Sequence, residues 1–262
     1  MDITNLFSVK GRVALITGGS AGIGRMIATG LAAAGARVYI CARGTERIDR
    51  AAAEIDGDVI GLAADVSSVE GIASLVAEIE RRESALHILV NNAGTLTDAP
   101  IDRFSENEWD DVIDLNLKTP FFLMQKLLPL LRAGANAGRP SNVINIGSVG
   151  ALKIGPREVY SYQASKGAIH WLTKSIAKKL GPDHITVNAI APGFFESDMT
   201  VITDDNMRKM VESMVPLGRT GTPEDMAGAA IYLASQAGAY VTGSGIPVEG
   251  GLAICNLRSI GC

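Results

Sequence analysis

Tyr162 and Lys166 stand four residues apart in Tyr162-Gln163-Ala164-Ser165-Lys166. On a helix, residues at that spacing share one face, so an ammonium would lie beside a phenol. A free phenol titrates near pH ~10 and is protonated at neutral pH. A neighbouring cation favours the phenolate and moves the group toward the working range of a general acid or base. Tyr160 competes for that role, but it lies two residues upstream, on another helix face, with no lysine four residues later. Helices also carry such pairs by chance, so the meaning of Tyr162 and Lys166 depends on their surroundings.

The elements that must position the pair alternate along the chain. Short apolar runs at 12–17, 37–42, 59–62, 87–91, 142–147, 186–190 and 245–248 predict strands. Segments rich in Ala, Leu, Glu and Lys at helical spacing, such as 26–34, 69–82 and 109–131, predict helices between them. A further helix is expected to end at Lys178-Lys179-Leu180-Gly181-Pro182, with cations in its last turn, then glycine, then a residue that cannot continue it. This alternation predicts an α/β fold of the doubly wound, Rossmann type, a mostly parallel sheet with helices on both faces. No polar linker or compositional shift divides residues 1–262, so a single domain is expected, with 133–140 as a surface loop.

Composition narrows the function classes. A chain of 262 residues that is 47% hydrophobic, 20% charged and carries 29 glycines suits buried parallel strands joined by tight turns. Its net charge of −4 and its lack of a basic run with interleaved aromatics argue against nucleic acid as a partner. Cys41, Cys255 and Cys262 are too scattered for a disulfide framework or a zinc cluster, which makes a reduced, cytoplasmic setting the expectation. Residues 1–11 contain no signal-like apolar run, and no stretch is long and apolar enough to predict a membrane span. His170 and His184 have no partner at metal-ligand spacing, so both read as structural and no metal is expected. Asp110, Asp111 and Asp114, near a helix start, read as solvated.

The first strand runs into Thr17-Gly18-Gly19-Ser20-Ala21-Gly22-Ile23-Gly24, and a helix pattern follows. Glycines at such a junction let main-chain N–H groups approach a pyrophosphate, which then sits at the positive end of the helix. Gly18, Ser20, Gly22, Ile23 and Gly24 are therefore candidate dinucleotide contacts. The end of the second strand chooses between cofactors. A site for NAD usually has Asp or Glu there for the ribose 2′-hydroxyl, whereas this chain reads Ile40-Cys41-Ala42-Arg43. Ala42 removes a charge that would repel a 2′-phosphate, and Arg43 can pair with that phosphate. NADP(H) is the expected cofactor.

With the glycine turn and the Tyr/Lys pair placed, the chain resembles the short-chain dehydrogenase/reductase family over nearly its whole length. Asp65-Val66 resembles the family's adenine-holding position after the third strand. Asn91-Asn92-Ala93-Gly94 looks like the signature lining the cofactor cleft, so Asn92, Ala93 and Gly94 are implied contacts. Asn116 and Ser148 match the family's catalytic Asn and Ser. Pro192-Gly193, with Ser197 at the usual Thr position, resembles the loop that binds the nicotinamide carboxamide. Three departures stand out: Ala21 lacks the basic residue of many NADP-dependent relatives, His87 replaces a frequent Asp, and Ser197 lacks a methyl.

The resemblance implies hydride transfer between nicotinamide and a carbonyl carbon. Tyr162 would give the oxygen its proton, and Lys166 would lower the Tyr162 pKa and hold the nicotinamide ribose. Ser148 would stabilise charge on the oxygen, and Asn116 would anchor a water in a proton relay. Within the family, the whole-chain pattern is similar to 3-oxoacyl-thioester reductases, including the branch associated with bacterial rhamnolipid synthesis. A 3-oxoacyl thioester is thus the first expectation for the small-molecule carbonyl substrate. A sugar, polyol, steroid or small cyclic ketone is the alternative, and a non-catalytic NADPH-binding regulator a third reading. Residues 194–216 are expected to form a substrate lid. In it, Met207, Met210, Val211 and Met214 are either a core stripe or an apolar wall, and Phe194 and Phe195 either pack or line the pocket. Relatives pack the counterparts of 109–131 and 161–180 into dimers and those of 240–251 into tetramers, which implies a homo-oligomer here.

Overall fold

Apolar runs without polar alternation form the central strands of the computed structural model, which describes residues 2–197 and 202–254. Val13–Thr17 (β1), Arg37–Ala42 (β2), Val59–Ala63 (β3), Ile88–Asn91 (β4), Ser141–Ile146 (β5), Ile185–Pro192 (β6) and Gly245–Val248 (β7) make one sheet in the order β3-β2-β1-β4-β5-β6-β7. Every pairing is parallel. All residues of β1, β4, β5 and β6 are buried, as befits strands covered on both faces. The expected strands thus form, with ends shifted by a residue or two.

Helices Ile3–Leu6 (α1), Gly22–Ala33 (α2), Thr45–Ala53 (α3), Val69–Arg82 (α4), Glu106–Ile113 (α5), Thr119–Ala133 (α6), Tyr160–Leu180 (α7), Asp205–Ser213 (α8) and Pro223–Ala234 (α9) surround the sheet. Adjacent residues of β1 enter different cores. Ala14 and Ile16 meet Ile27 and Leu31 of α2 and Met226 and Leu233 of α9, whereas Leu15 meets Leu75 and Ile79 of α4 and Leu123 and Leu127 of α6. Side-chain alternation along a strand produces this division. Helix starts are specified locally. Ser68 accepts from the Gly71 N–H to cap α4, and Ser105 with Glu108, and Thr222 with Asp225, form capping boxes on α5 and α9. Each buried Leu or Ile then contributes about 1.5–3 kcal/mol, so Leu75→Ala, at a fully packed position, would cost about 2–5 kcal/mol.

Two boundaries differ from expectation. The segment 109–131 is interrupted: a π-helical turn, Asp114–Lys118, separates α5 from α6 and carries Asn116. Gly181 does not reverse the chain after α7. It stays right-handed at φ −52, because Pro182 fits the start of a 3-10 turn where no N–H is needed. The left-handed residue is His184, at φ 55. Cys255 and Cys262, and Asp198, Met199 and Thr200 of the expected lid, lie outside the described residues.

Strand order reverses between β1 and β4, the strands that precede the glycine turn and Asn92-Ala93-Gly94. In open α/β sheets, a crevice at the carboxyl ends of strands flanking such a reversal is where ligands bind.

Candidate active site

The glycine turn is shaped by contacts that only glycine permits. Gly18 takes φ 66, and a Cβ on it would stand 2.9 Å from Asn92 Nδ2. A Cβ on Gly24 would collide with the Gly18 carbonyl and the Asn92 amide. Asn92 Nδ2 donates to the carbonyls of Thr17 at 2.9 Å and Gly18 at 3.1 Å. The N–H groups of Asn92 and Ala93 both donate to Thr17 Oγ1. Asn92 and Ala93 therefore hold the turn in shape, and Thr17, which motif reading passed over, is their common anchor. Ala21 begins α2 with no capping side chain. The first-turn N–H groups are thus available to an anion, as a pyrophosphate requires.

Around the turn, the remaining expected cofactor residues take distinct positions. Asp65 accepts from the N–H and hydroxyl of Ser67, and those bonds, together with the Arg43 charge, hold its carboxyl below the usual range. Val66 lies in the core beneath, with its carbonyl taken by Thr119 Oγ1 at 2.8 Å. Gly94 faces the Asn116 amide. Pro192 ends β6, Gly193 donates to the Val248 carbonyl, and Ser197 packs on Gly22. Arg43 is exposed at the end of β2.

On the other side of the strand reversal, α7 runs beneath the ends of β5 and β6 and presents Tyr162 and Lys166. Ser148 starts the 3-10 turn Val149–Ala151, and its Oγ accepts from the Gly150 N–H at 3.0 Å. The Ser148 hydroxyl is also a hydrogen-bonding neighbour of the Tyr162 phenol. Burial raises the Tyr162 pKa, while the Ser148 bond and the charge of Arg157 lower it. Lys166 is only 5% exposed; its Nζ donates to the Ile146 carbonyl at 2.7 Å and lies 5.5 Å from the Tyr162 ring centre. Burial pulls its own pKa down to about 8. Burial is thus the largest influence on the phenol, and the described hydrogen bond of the ammonium goes to the main chain.

Asn116 binds the site together from the π turn. Its Oδ1 accepts from the Thr95 N–H at 2.8 Å, and its Nδ2 donates to the Thr95 carbonyl at 2.9 Å and to Ser165 Oγ at 3.2 Å. Ser165 Oγ in turn donates to the Tyr162 carbonyl at 2.7 Å. The side chain thus links the segment after β4 to the first turn of α7.

The competing residues fall away from the centre. Tyr160 donates to Glu158 at 2.7 Å, and that carboxylate raises its pKa. His87 Nδ1 accepts from the Val13 N–H, a structural role. His170 packs against Gly147 and Gly245. Asp114 pairs with Lys118 at the surface. Phe195 is buried in the core, whereas in α8 Val211 is buried and Met210 is 55% exposed, so that helix does not present an ordinary core stripe. Two groups had no motif to reveal them: Arg157, held by Asp98 at 2.7 Å near Tyr162, and Arg47, beside the glycine turn.

The chain is similar to proteins already characterised. A family model described as enoyl-(acyl carrier protein) reductase matches residues 18–253. The rhamnolipids biosynthesis 3-oxoacyl-[acyl-carrier-protein] reductase of Pseudomonas aeruginosa is 46% identical over 249 residues, covering 94% of this chain and 97% of that one. A 2-dehydro-3-deoxy-D-gluconate 5-dehydrogenase of Dickeya dadantii is 38% identical over 95% of this chain and 98% of its own. Among solved structures, a Pseudomonas aeruginosa RhlG/NADP active-site complex superposes with a TM-score of 0.92 at 45% identity, covering 95% of this chain and 99% of that one. With the match running from the glycine turn through the Ser, Tyr and Lys positions, this chain belongs to the short-chain dehydrogenase/reductase family.

Proposed function

We propose that this protein reduces the ketone of a 3-oxoacyl thioester to a secondary alcohol with NADPH. The observation that carries the reading is the grouping of Ser148, Tyr162 and Lys166, with Ser148 hydrogen-bonding the Tyr162 phenol and Lys166 Nζ 5.5 Å from its ring centre. Bound NADPH supplies hydride to the carbonyl carbon. Tyr162 then gives its proton to the oxygen as that atom becomes an alkoxide. Ser148 hydrogen-bonds the same oxygen, its Oγ positioned beforehand by the Gly150 N–H of the 3-10 turn. Lys166 supplies a nearby positive charge, and an ammonium has donors beyond the one taken by Ile146 to hold the nicotinamide ribose. Asn116 keeps α7 and the segment after β4 in register.

Exposed apolar side chains support an acyl substrate: Leu152 and Ile154, just after Ser148, are 48% and 81% exposed, and Leu217, beside Gly250, is 67% exposed. An acyl chain would cover such side chains, whereas a sugar needs donors and acceptors there. Residues 194–216 serve as the lid in this reading, with Met210 in its apolar wall. The Dickeya relative's name supports the second reading, a sugar-acid dehydrogenase. Exposed Trp109, Phe122 and Trp171 on α5, α6 and α7 support a homo-oligomer through those helices. No helix of the described residues is long and apolar enough to cross a membrane, and a cytoplasmic setting completes the proposal.

NADPH consumption tests the assignment with 3-oxoacyl thioesters, 2-enoyl thioesters, cyclic ketones and sugar acids, the last also in the oxidative direction. The highest kcat/KM is expected on 3-oxoacyl thioesters. Preference for a sugar acid would replace that substrate class, preference for enoyl thioesters would overturn carbonyl chemistry, and no turnover on any would favour a non-catalytic role.

A further inference from the structure

Given the reductase reading above, we propose that His170 is a positioning residue whose ring braces the main chain between Ile146 and Ser148, the segment that anchors Lys166 and carries the Ser148 hydroxyl. Lys166 and His170 lie four residues apart on α7, so the imidazole sits one turn beyond the ammonium on the same side of the helix. Its ring is wedged against the sheet where two glycines make room. A Cβ on Gly147, which follows β5, would collide with His170 Nε2, and a Cβ on Gly245, which begins β7, would stand 2.8 Å from Nδ1. Neither glycine has the left-handed backbone that would by itself call for glycine. Space for the ring is therefore what these two positions supply.

Gly147 stands between two functional contacts. The carbonyl before it, on Ile146, accepts from Lys166 Nζ at 2.7 Å, and Ser148 after it is hydrogen-bonded to the Tyr162 phenol. Its own N–H donates to the Ile190 carbonyl at 2.7 Å, which ties it to β6. A shift of the ring would thus pass to Ser148 and to the Lys166 anchor together. His170 Nε2 is buried, with no hydrogen-bond partner among the described residues. Without a proton, that nitrogen leaves only an acceptor idle. A protonated imidazole must donate from both nitrogens, and an Nε2–H would face Gly147 with nothing to accept it. The charged groups acting on the ring are Lys166 and Lys174, both on α7, and after burial they lower its pKa. The glycines that meet it from the sheet bring no counter-charge. The brace therefore holds near neutrality and gives way in mild acid, when the ring must turn to satisfy its second N–H.

The test is kcat with NADPH and the preferred ketone between about pH 5 and 8, beside direct titration of NADPH binding. Wild type is expected to lose turnover below the ordinary histidine value near ~6.5, with NADPH affinity steady within about twofold. His170→Ala empties the space against Gly147 and should lower kcat at neutral pH by roughly tenfold, with NADPH affinity again within about twofold. His170→Met refills the space with an adaptable apolar chain that cannot titrate, so kcat at neutral pH should return to within about threefold of wild type and the acid decline should vanish. His87→Asn, at the opposite end of the sheet, should keep that decline. Wild-type kcat in His170→Ala, a wild-type profile flat to the acid end, or an unchanged decline in His170→Met overturns the proposal and leaves the reductase reading intact. Should His170→Ala fail to bind NADPH, the profile of His170→Met decides alone. No turnover by wild type on any ketone would overturn both.

Discussion

Lys166 Nζ donates to the Ile146 carbonyl at 2.7 Å and stands 5.5 Å from the centre of the Tyr162 ring. The ammonium therefore lies below the phenol and is fixed to strand β5, instead of being hydrogen-bonded to the phenolic oxygen. Tyr162, buried and raised in pKa, keeps its proton at neutral pH. A protonated phenol suits the role of donor to a developing alkoxide.

Tyr162→Phe should remove the proton donor while leaving the ring and its packing. We expect reduction to fall by roughly 10²–10⁴-fold, the usual weight of a general acid, with NADPH affinity within about twofold. Steady-state kinetics together with a direct binding titration decide the point. Turnover near wild type would remove Tyr162 from the mechanism, and Tyr160→Phe, away from the centre, should leave kcat nearly unchanged.

The buried ammonium at Lys166 carries a penalty that the fold must absorb. Its folded pKa, about 8, lies below the value near 10.4 expected in an unfolded chain. Between those values the unfolded state binds more protons, so this group's contribution becomes more favourable as pH rises from about 8 to about 10.4. Below pH 8 the penalty is fully present. Lys166→Met should therefore abolish turnover yet raise stability at pH 7 by about 2 kcal/mol, and the gain should shrink toward pH 10. Urea midpoints at the two pH values measure this. A variant less stable than wild type at pH 7 would show that the Ile146 bond outweighs desolvation.

The sequence exposed the parts of this site that are local and periodic. Strands were readable from apolar runs to within a residue or two, and the glycine turn from a strand followed by a helix. Spacing placed Tyr162 on α7 and set Tyr160 aside, and Tyr160 is indeed occupied by Glu158. What stayed hidden depends on tertiary burial. The desolvation that governs Tyr162 and Lys166 comes from strands remote in sequence, so the sign of the Tyr162 shift could not follow from a four-residue spacing. The π turn at Asn116 left no periodic break in 109–131.

Asn116→Ala would leave the Thr95 N–H and carbonyl, and Ser165 Oγ, without the side chain that joins them. Unsatisfied buried groups make that loss worth about 2–4 kcal/mol of stability. Because Ser165 also holds the Tyr162 carbonyl, kcat should fall as well, with a smaller change in the KM for NADPH. A thermal scan and steady-state kinetics check both effects. A variant with wild-type Tm would place these bonds outside the energetics of the site.

His87 makes the fold acid-sensitive in a defined window. Burial, and then the charges of Arg12 and Arg139, lower its pKa, while Nδ1 accepts from the Val13 N–H at 3.0 Å. As pH falls below the unfolded value near 6.5, the unfolded chain takes up the proton first, and stability is lost until the folded pKa is passed. His87→Asn keeps an acceptor for Val13 and removes the titration. Its urea midpoint should fall less than that of wild type between pH 7 and pH 5, and parallel curves would assign the acid loss to other groups.

Gly24 tests whether the turn and Asn92 act as one unit. A methyl there meets the Gly18 carbonyl and the Asn92 side chain, the pair that hydrogen-bond each other. Neither can yield without opening the turn, because Asn92 Nδ2 also holds the Thr17 carbonyl and Thr17 Oγ1 receives both following N–H groups. Gly24→Ala should therefore lose about 1–3 kcal/mol of stability and weaken NADPH at least tenfold. A double variant, Gly24→Ala with Asn92→Ala, relieves the side-chain collision but not the one with the Gly18 carbonyl. Recovery of binding in the double variant would assign the clash to Asn92. Its absence would place the constraint on the close approach of α2 to the end of β1, the feature that lets a pyrophosphate reach the helix.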